Sequence, residues 1–464
     1  MQHKTTIKIF LLITALLLAY AYSGSIFILA SHHLNTDIML TYLSGKMLNT
    51  HTPGYHFSQA YIATHHSKTA IIPNLSPPFS VMIAAFVTRY VSYQNFFIAF
   101  MTSTVLLNIW ALTRLYQHFY TDKTKFNRLI LTAFILANLF YWPAFMNTTF
   151  GQVALALNAL IIFFYLALEK KCFIRAGFLL ALAINMKLFF GVFLIYFFAK
   201  KQYQVLVAFL FFSLLFASIP LMVYGKSIYQ GYFEALNRVG WYGVNWNASW
   251  YGFFARILGE KSHRFHSMLF SPNLGKNIYY SFFLIYATLI YYFTRKNITS
   301  SLPFAFTLSS MLLISPLGWS YYFPILITAF LITIIEAESS RYYVPLICLL
   351  LFSFFLSELP FPIYRDTEIS SMLLVSKGNL FFISLLLFNT VNLFQLLLPN
   401  EKNQTPILTH KFKLLIFSIC ILPSIIGISG IIVSLTKGQP PEKETMPLAS
   451  MKDLLPSNSE RKLL

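Results

Sequence analysis

Charge is what this chain has least of. Only 11% of its 464 residues are Asp, Glu, Lys or Arg, and 15 acids face 34 bases. A soluble domain carries about 25% charged residues to cover its surface, so a soluble globular fold is excluded. Cysteine is nearly absent as well. Cys172, Cys348 and Cys420 fall in apolar segments or at their edges, which excludes a disulfide framework. The chain also has no internal repeat, heptad ladder or low-complexity core.

Hydrocarbon fills the space left by charge. Hydrophobic residues make up 57% of the chain, and its mean hydropathy is +0.63. The fold class this implies is an all-α polytopic membrane protein, with the lipid bilayer as its solvent. The net charge of +19 does not mark a nucleic-acid binder, because the bases sit in short clusters between apolar runs. That is the positive-inside pattern.

Apolar runs read against their basic flanks give about eleven crossings: 7–30, 95–115, 129–146, 150–168, 203–224, 277–294, 302–316, 320–337, 341–358, 379–398 and 412–435. Arg114 to Arg128, Lys170 to Arg175, Lys200–Lys201, Arg295–Lys296 and Lys402 to Lys413 then all fall on the inner side. The first run follows Lys4 and Lys8 and exceeds the roughly 7–15 residues of a cleaved signal, so it reads as a retained span with a cytoplasmic N-terminus. Residues 78–90 are too few to cross about 30 Å of hydrocarbon. Residues 175–198 carry basic clusters at both ends and Lys187 about 18 Å from either, which describes a re-entrant hairpin with a lysine at its tip, the alternative being one long tilted helix with a snorkelling lysine. One transmembrane domain therefore covers 1–436, with outer loops at 31–76 and 225–275 and a polar tail at 437–464.

With this topology the uncharged polar motifs gather on the outer face, where no nucleotide sugar is available. They are Thr36-Asp37, Ser76-Pro-Pro-Phe79, Asn147-Thr-Thr-Phe-Gly-Gln152, Asn245-Trp-Asn-Ala-Ser249 with Arg256, and Ser315-Pro-Leu-Gly-Trp-Ser-Tyr-Tyr322. Asp37 is the candidate general base. A glycosidase needs two carboxylates because its leaving alcohol must be protonated. A transferase with a lipid phosphate as leaving group needs only one. Glu234, Asp366 and Glu368 are further outer acids. Lys187 and Arg256 are the candidate cations for a departing phosphate, and Asn147, Gln152, Asn247 and Ser249 are candidates to orient sugars. Trp319, Tyr321 and Tyr322 are candidate stacking residues, although aromatics also anchor membrane interfaces. His32, His33, His51, His56, His65 and His66 match no zinc spacing, so neither a metal nor a cofactor is expected.

Taken in order, Asp37, Tyr42, Pro53-Gly54-Tyr55, Pro77-Pro78, Gly151-Gln152, the run Ala176 to Lys187, Ser249 with Arg256, and Ser315-Pro316 with Trp319 resemble the GT-C membrane glycosyltransferases, specifically glycosyltransferase family 87. The resemblance implies a GT-C-type bundle of about eleven to thirteen transmembrane helices with re-entrant helices and a helical first outer loop. It further implies inverting transfer of a sugar, mannose above all, from a polyprenyl-phosphate donor to a hydroxyl of a glycolipid or glycan at the outer face of the cytoplasmic membrane. Asp37 falls on the family's first-loop catalytic aspartate. Where the family often carries histidine, this chain has Tyr321 and Tyr322. Two alternatives stay open at this point: a lipid-linked glycan polymerase or ligase, and a polytopic transporter or flippase, which should show an inverted repeat.

Overall fold

The structure, a computed structural model, describes residues 2–31, 37–50, 54–55, 74–119, 125–237, 239, 242–244, 246–258, 272–337, 340, 342–358 and 379–398. The expected crossing at 412–435, the tail at 437–464, the six loop histidines, Asp366 and Glu368 lie outside these residues. The described residues hold seventeen α-helices, two 3-10 segments and a single β-bridge, Asn247 with Trp319. The helices are α1 Gln2–Ser31, α2 Asp37–Leu48, α3 Pro78–Val87, α4 Tyr93–Phe119, α5 Lys125–Phe140 and α6 Trp142–Thr149. They continue with α7 Ala154–Glu169, α8 Phe173–Met186, α9 Phe193–Lys200, α10 Tyr203–Tyr224, α11 Ser227–Asn237 and α12 Trp250–Leu258. Last come α13 Pro272–Lys296, α14 Leu302–Ile314, α15 Ile327–Ala337, α16 Tyr343–Glu358 and α17 Asn379–Leu397. The 3-10 segments are Leu188–Val192 and Ser320–Leu326.

Among the described residues, five segments are long and apolar enough to cross a bilayer: Ile9–Ser31, Tyr93–Phe119, Tyr203–Tyr224, Ser320–Ala337 and Asn379–Leu397. The pair α5 and α6, bent by 53°, makes a sixth. The eleven crossings expected from hydropathy therefore do not all appear as continuous helices. Apolar runs hide their own breaks. Pro143 starts a new helix inside 129–146, and Gly151-Gln152 delays α7 to Ala154. Outward faces carry exposed Leu12, Leu16, Tyr20, Leu106, Trp110, Leu214 and Met222, an arrangement only lipid solvates. The chain is a polytopic membrane protein.

Small residues bring the helices close. A Cβ on Gly177 of α8 would stand 2.6 Å from Ala208 and 2.7 Å from the Phe209 nitrogen of α10, and one on Gly45 of α2 would meet the Ala84–Ala85 backbone of α3 at 2.5 Å. Amides and hydroxyls join other helices from within. Asn158 donates to Asn108 at 2.7 Å and Asn108 to Asn138 at 3.0 Å, while Asn389 donates to Ser309 and Ser310, both at 2.8 Å. Such bonds contribute on the order of 1 kcal/mol each between membrane helices.

Glu358 closes α16 in full burial and accepts the Trp142 backbone N–H at 3.1 Å, at the N-terminus of α6. That end of a helix favours an acceptor. Beside it, Tyr141 and Ser357 share a 2.7 Å hydroxyl bond. Glu358→Gln keeps an acceptor for Trp142 and Glu358→Ala does not. Thermal unfolding in detergent is therefore expected to show a loss of about 1–3 kcal/mol for the alanine variant and clearly less for the glutamine variant.

Candidate active site

The site is built on one turn. Asn147 ends as a fully buried amide whose Oδ1 accepts the Ala154 N–H at 2.6 Å, and its carbonyl accepts the Gln152 N–H at 2.8 Å. Between them Gly151 takes φ of 61°, a left-handed conformation that glycine enters without a Cβ clash. The turn leaves two carbonyls pointing outward, and the start of α2 docks on them. Asp37 N–H bonds Phe150 O at 3.0 Å and Ile38 N–H bonds Gly151 O at 3.1 Å. Asp37 is thus the first residue of α2, fixed by backbone and placed where the helix dipole favours an anion.

Lys187 arrives from the other side. After Met186 the backbone turns extended, φ −151° and ψ 123°, before the 3-10 segment begins. Ser80 at the start of α3 donates to the Asn185 carbonyl at 2.9 Å, and Phe79 stacks on Phe216 of α10 at 4.7 Å. These contacts fasten the end of α8 to α3. The Lys187 ammonium lies 5.7 Å from the centroid of the Tyr322 ring.

Asp37 and Lys187 line the same cavity, of about 180 Å³, together with Thr41, Ser76, Ser80 and Gln152. Its remaining wall is apolar: Phe79, Ile83, Phe96 and Phe100, with Ile83 47% exposed on the outside of the bundle. Gln152 donates through Nε2 to Asp37 Oδ2 and, at 3.1 Å, to the Tyr321 hydroxyl. The charge of Asp37 also acts on Lys187, Tyr321 and Tyr322. On α2 itself Thr41 shares a 2.8 Å hydroxyl bond with Ser76, and Asn74 donates to Ser44 at 2.9 Å while accepting the Ser76 N–H at 2.9 Å. Thr41 and Ser80 were not singled out from the sequence. The spacing of Thr41, four residues after Asp37 and so on the same helix face, was the signal for it.

Arg256, Asn247, Ser249 and Trp319 belong to a separate latch. Arg256 does not line the cavity. Its Nη1 donates to the carbonyls of Asn247 at 2.6 Å and Val244 at 3.0 Å, and its Nε to Asn379 Oδ1 at 2.9 Å. Burial lowers the guanidinium to about 9, and it stays a cation at neutral pH. Asn247 is no freer, donating to the carbonyls of Tyr242 at 2.8 Å and Pro316 at 2.9 Å and accepting the Ser249 N–H at 3.1 Å. Ser249 accepts the Gly252 N–H at 3.0 Å and so caps α12. Ala248 N–H to Gly318 O and Ser320 N–H to Trp246 O, both at 2.7 Å, sew 246–249 to 318–320. Trp319, buried, lies between the tilted rings of Trp246 at 6.4 Å and Tyr321 at 6.2 Å. Expected to hold a phosphate, Arg256 instead binds the carbonyls of its own loop. Asn147, Asn247 and Ser249 likewise bond to backbone rather than line the cavity. Arg256→Met is therefore expected to lower thermal stability by about 2–4 kcal/mol while leaving the donor KM of the surviving enzyme unchanged.

A family model described as glycosyltransferase family 87 matches residues 74–316, just over half of the chain. The chain belongs to glycosyltransferase family 87. It is a membrane glycosyltransferase. The match begins after Asp37 and ends before Trp319, so Asp37, which lines the cavity, and Tyr321 and Tyr322, which do not, all lie outside it. Among curated proteins, none matches the chain.

Proposed function

We propose that this family 87 glycosyltransferase transfers a sugar, mannose first among candidates, from a polyprenyl phosphate to an acceptor hydroxyl, with inversion, on the extracytoplasmic side of the cytoplasmic membrane. The observation that carries the reading is one carboxylate and one ammonium, Asp37 and Lys187, on the wall of a single cavity. The acceptor oxygen attacks the anomeric carbon as Asp37 takes its proton. The bond from that carbon to the phosphate oxygen breaks, and the lipid phosphate leaves as an anion toward Lys187. A phosphate departs without a proton, so no second acid is required.

The layout supports a lipid donor. Phe79, Ile83, Phe96 and Phe100 make the cavity apolar toward the outside of the bundle, which suits a hydrocarbon chain leading in from the bilayer. The backbone break at Lys187 fits the re-entrant reading. Gly177, early in α8, packs on Ala208 and Phe209, early in α10, while Asn185 at the end of α8 and Phe216 further along α10 both meet the start of α3. That order fits two helices running in the same direction, with the chain between them doubling back. The Lys187 tip of such a hairpin would deliver its cation from the inner side to a cavity near the outer one.

The test is transfer itself. Proteoliposomes holding the full chain are supplied with radiolabelled polyprenyl-phosphate mannose, glucose or arabinose and a membrane glycolipid extract. Label passing from one of these donors into product with inverted configuration is expected. Label accepted from nucleotide sugars alone would refute the proposal.

A further inference from the structure

Gln152 lines the cavity, yet both N–H bonds of its amide are engaged by the protein. A carboxylate only accepts, so the amide nitrogen, not its oxygen, faces Asp37. That same nitrogen donates to the Tyr321 hydroxyl at 3.1 Å, so the Tyr321 oxygen accepts and its own proton is directed elsewhere. The Tyr321 ring lies edge-on to that of Tyr322 at 4.9 Å, and the Tyr322 ring in turn faces the Lys187 ammonium at 5.7 Å. Each anchor is itself held. The Gln152 backbone is pinned to Asn147, and Tyr321 follows Ser320, whose N–H is bonded to Trp246. Phe150 packs edge-on against the Tyr321 ring at 5.8 Å.

We propose that Gln152 is a positioning residue and not a sugar ligand: its amide, anchored on Tyr321, sets the orientation in which the Asp37 carboxylate meets the acceptor hydroxyl. The proposal rests on Asp37 being the base. An amide suits the task because it donates to the carboxylate and cannot take the proton that the carboxylate receives. A leucine there keeps the volume and loses the donor. Tyr321→Phe leaves the amide in place and removes its second acceptor, so the two changes strike one coupled unit.

The experiment uses the full chain in lipid nanodiscs, with wild type, Gln152→Leu, Tyr321→Phe and the double variant, and Asp37→Asn as control. The first readout needs no sugar. Dicyclohexylcarbodiimide reacts with carboxyls in apolar sites, and mass spectrometry follows its addition to Asp37 against time at one fixed pH. Labelling is expected to be several-fold faster in Gln152→Leu than in wild type, because the oxygen that Gln152 holds is then released to react. The second readout is kinetic. Gln152→Leu should lower kcat by about 10–100-fold with donor and acceptor KM nearly unchanged, since misplacing a reacting group by about 1 Å has that effect. The double variant should be no worse than Gln152→Leu, as expected for residues acting through one contact. Superimposed labelling curves, additive losses, or a raised acceptor KM with kcat intact would overturn the positioning role. If Gln152→Leu misfolds, Tyr321→Phe alone still decides, since it too should speed labelling, by less. Faster labelling alongside an active Asp37→Asn enzyme would refute the base assignment, and this proposal with it, while leaving the hydrogen bond intact.

Discussion

Asp37→Asn is expected to slow sugar transfer by about 10²–10⁴-fold, the range a positioned general base contributes. The substitution is nearly isosteric, and the bonds that place residue 37 are made by the backbone N–H groups of Asp37 and Ile38. The asparagine therefore stays where the aspartate was and loses the negative charge and, with it, the ability to take a proton. Loss of rate with unchanged donor KM is the signature of the proposed role, in which Asp37 would act on the acceptor in the transition state and not on the donor's tail. Initial rates in proteoliposomes measure it. An Asp37→Asn enzyme keeping more than a tenth of wild-type kcat would show that proton removal happens elsewhere.

Lys187→Met should rank second, with kcat/KM for the donor lowered by about 10²–10³-fold, the usual effect of removing one preorganised group from developing charge. Methionine matches the length of the lysine stem and suits a wall already formed by Leu182, Met186 and Phe79. The fold should not suffer. Released polyprenyl phosphate should also inhibit the variant less than wild type, since product and leaving group are the same anion. Lys187→Arg keeps the charge and should retain part of the rate, although a planar guanidinium does not replace a compact ammonium over the Tyr322 ring. Equal product inhibition in wild type and Lys187→Met would remove Lys187 from the phosphate site.

What the sequence disclosed follows from what hydropathy and charge encode. Long uninterrupted runs matched Tyr203–Tyr224 to the residue and fell two and four residues short of the ends of Tyr93–Phe119, because lipid demands continuous helix there. Basic residues at both ends of 175–198 signalled a break near Lys187, and the backbone breaks there. A lone acid among outer polar motifs led to Asp37. Arg256 was misread because its partners, Asn379 and the carbonyls of Val244 and Asn247, are fixed only by folding. A lone cation in an outer loop looks the same in sequence whether it awaits a phosphate or binds backbone. Gln152 was placed at the site, but the direction of its amide depends on Tyr321, 169 residues away. The short helices were hidden for a related reason: apolar side chains on both sides of Tyr141 conceal the bend between α5 and α6.

The paired strands of backbone at Trp246–Ser249 and Gly318–Ser320 carry one further implication. Segments tied by two bonds at 2.7 Å move as one piece, so the position of Tyr321, the residue after Ser320, is set by the fold of residues 246–249 as much as by its own 3-10 segment.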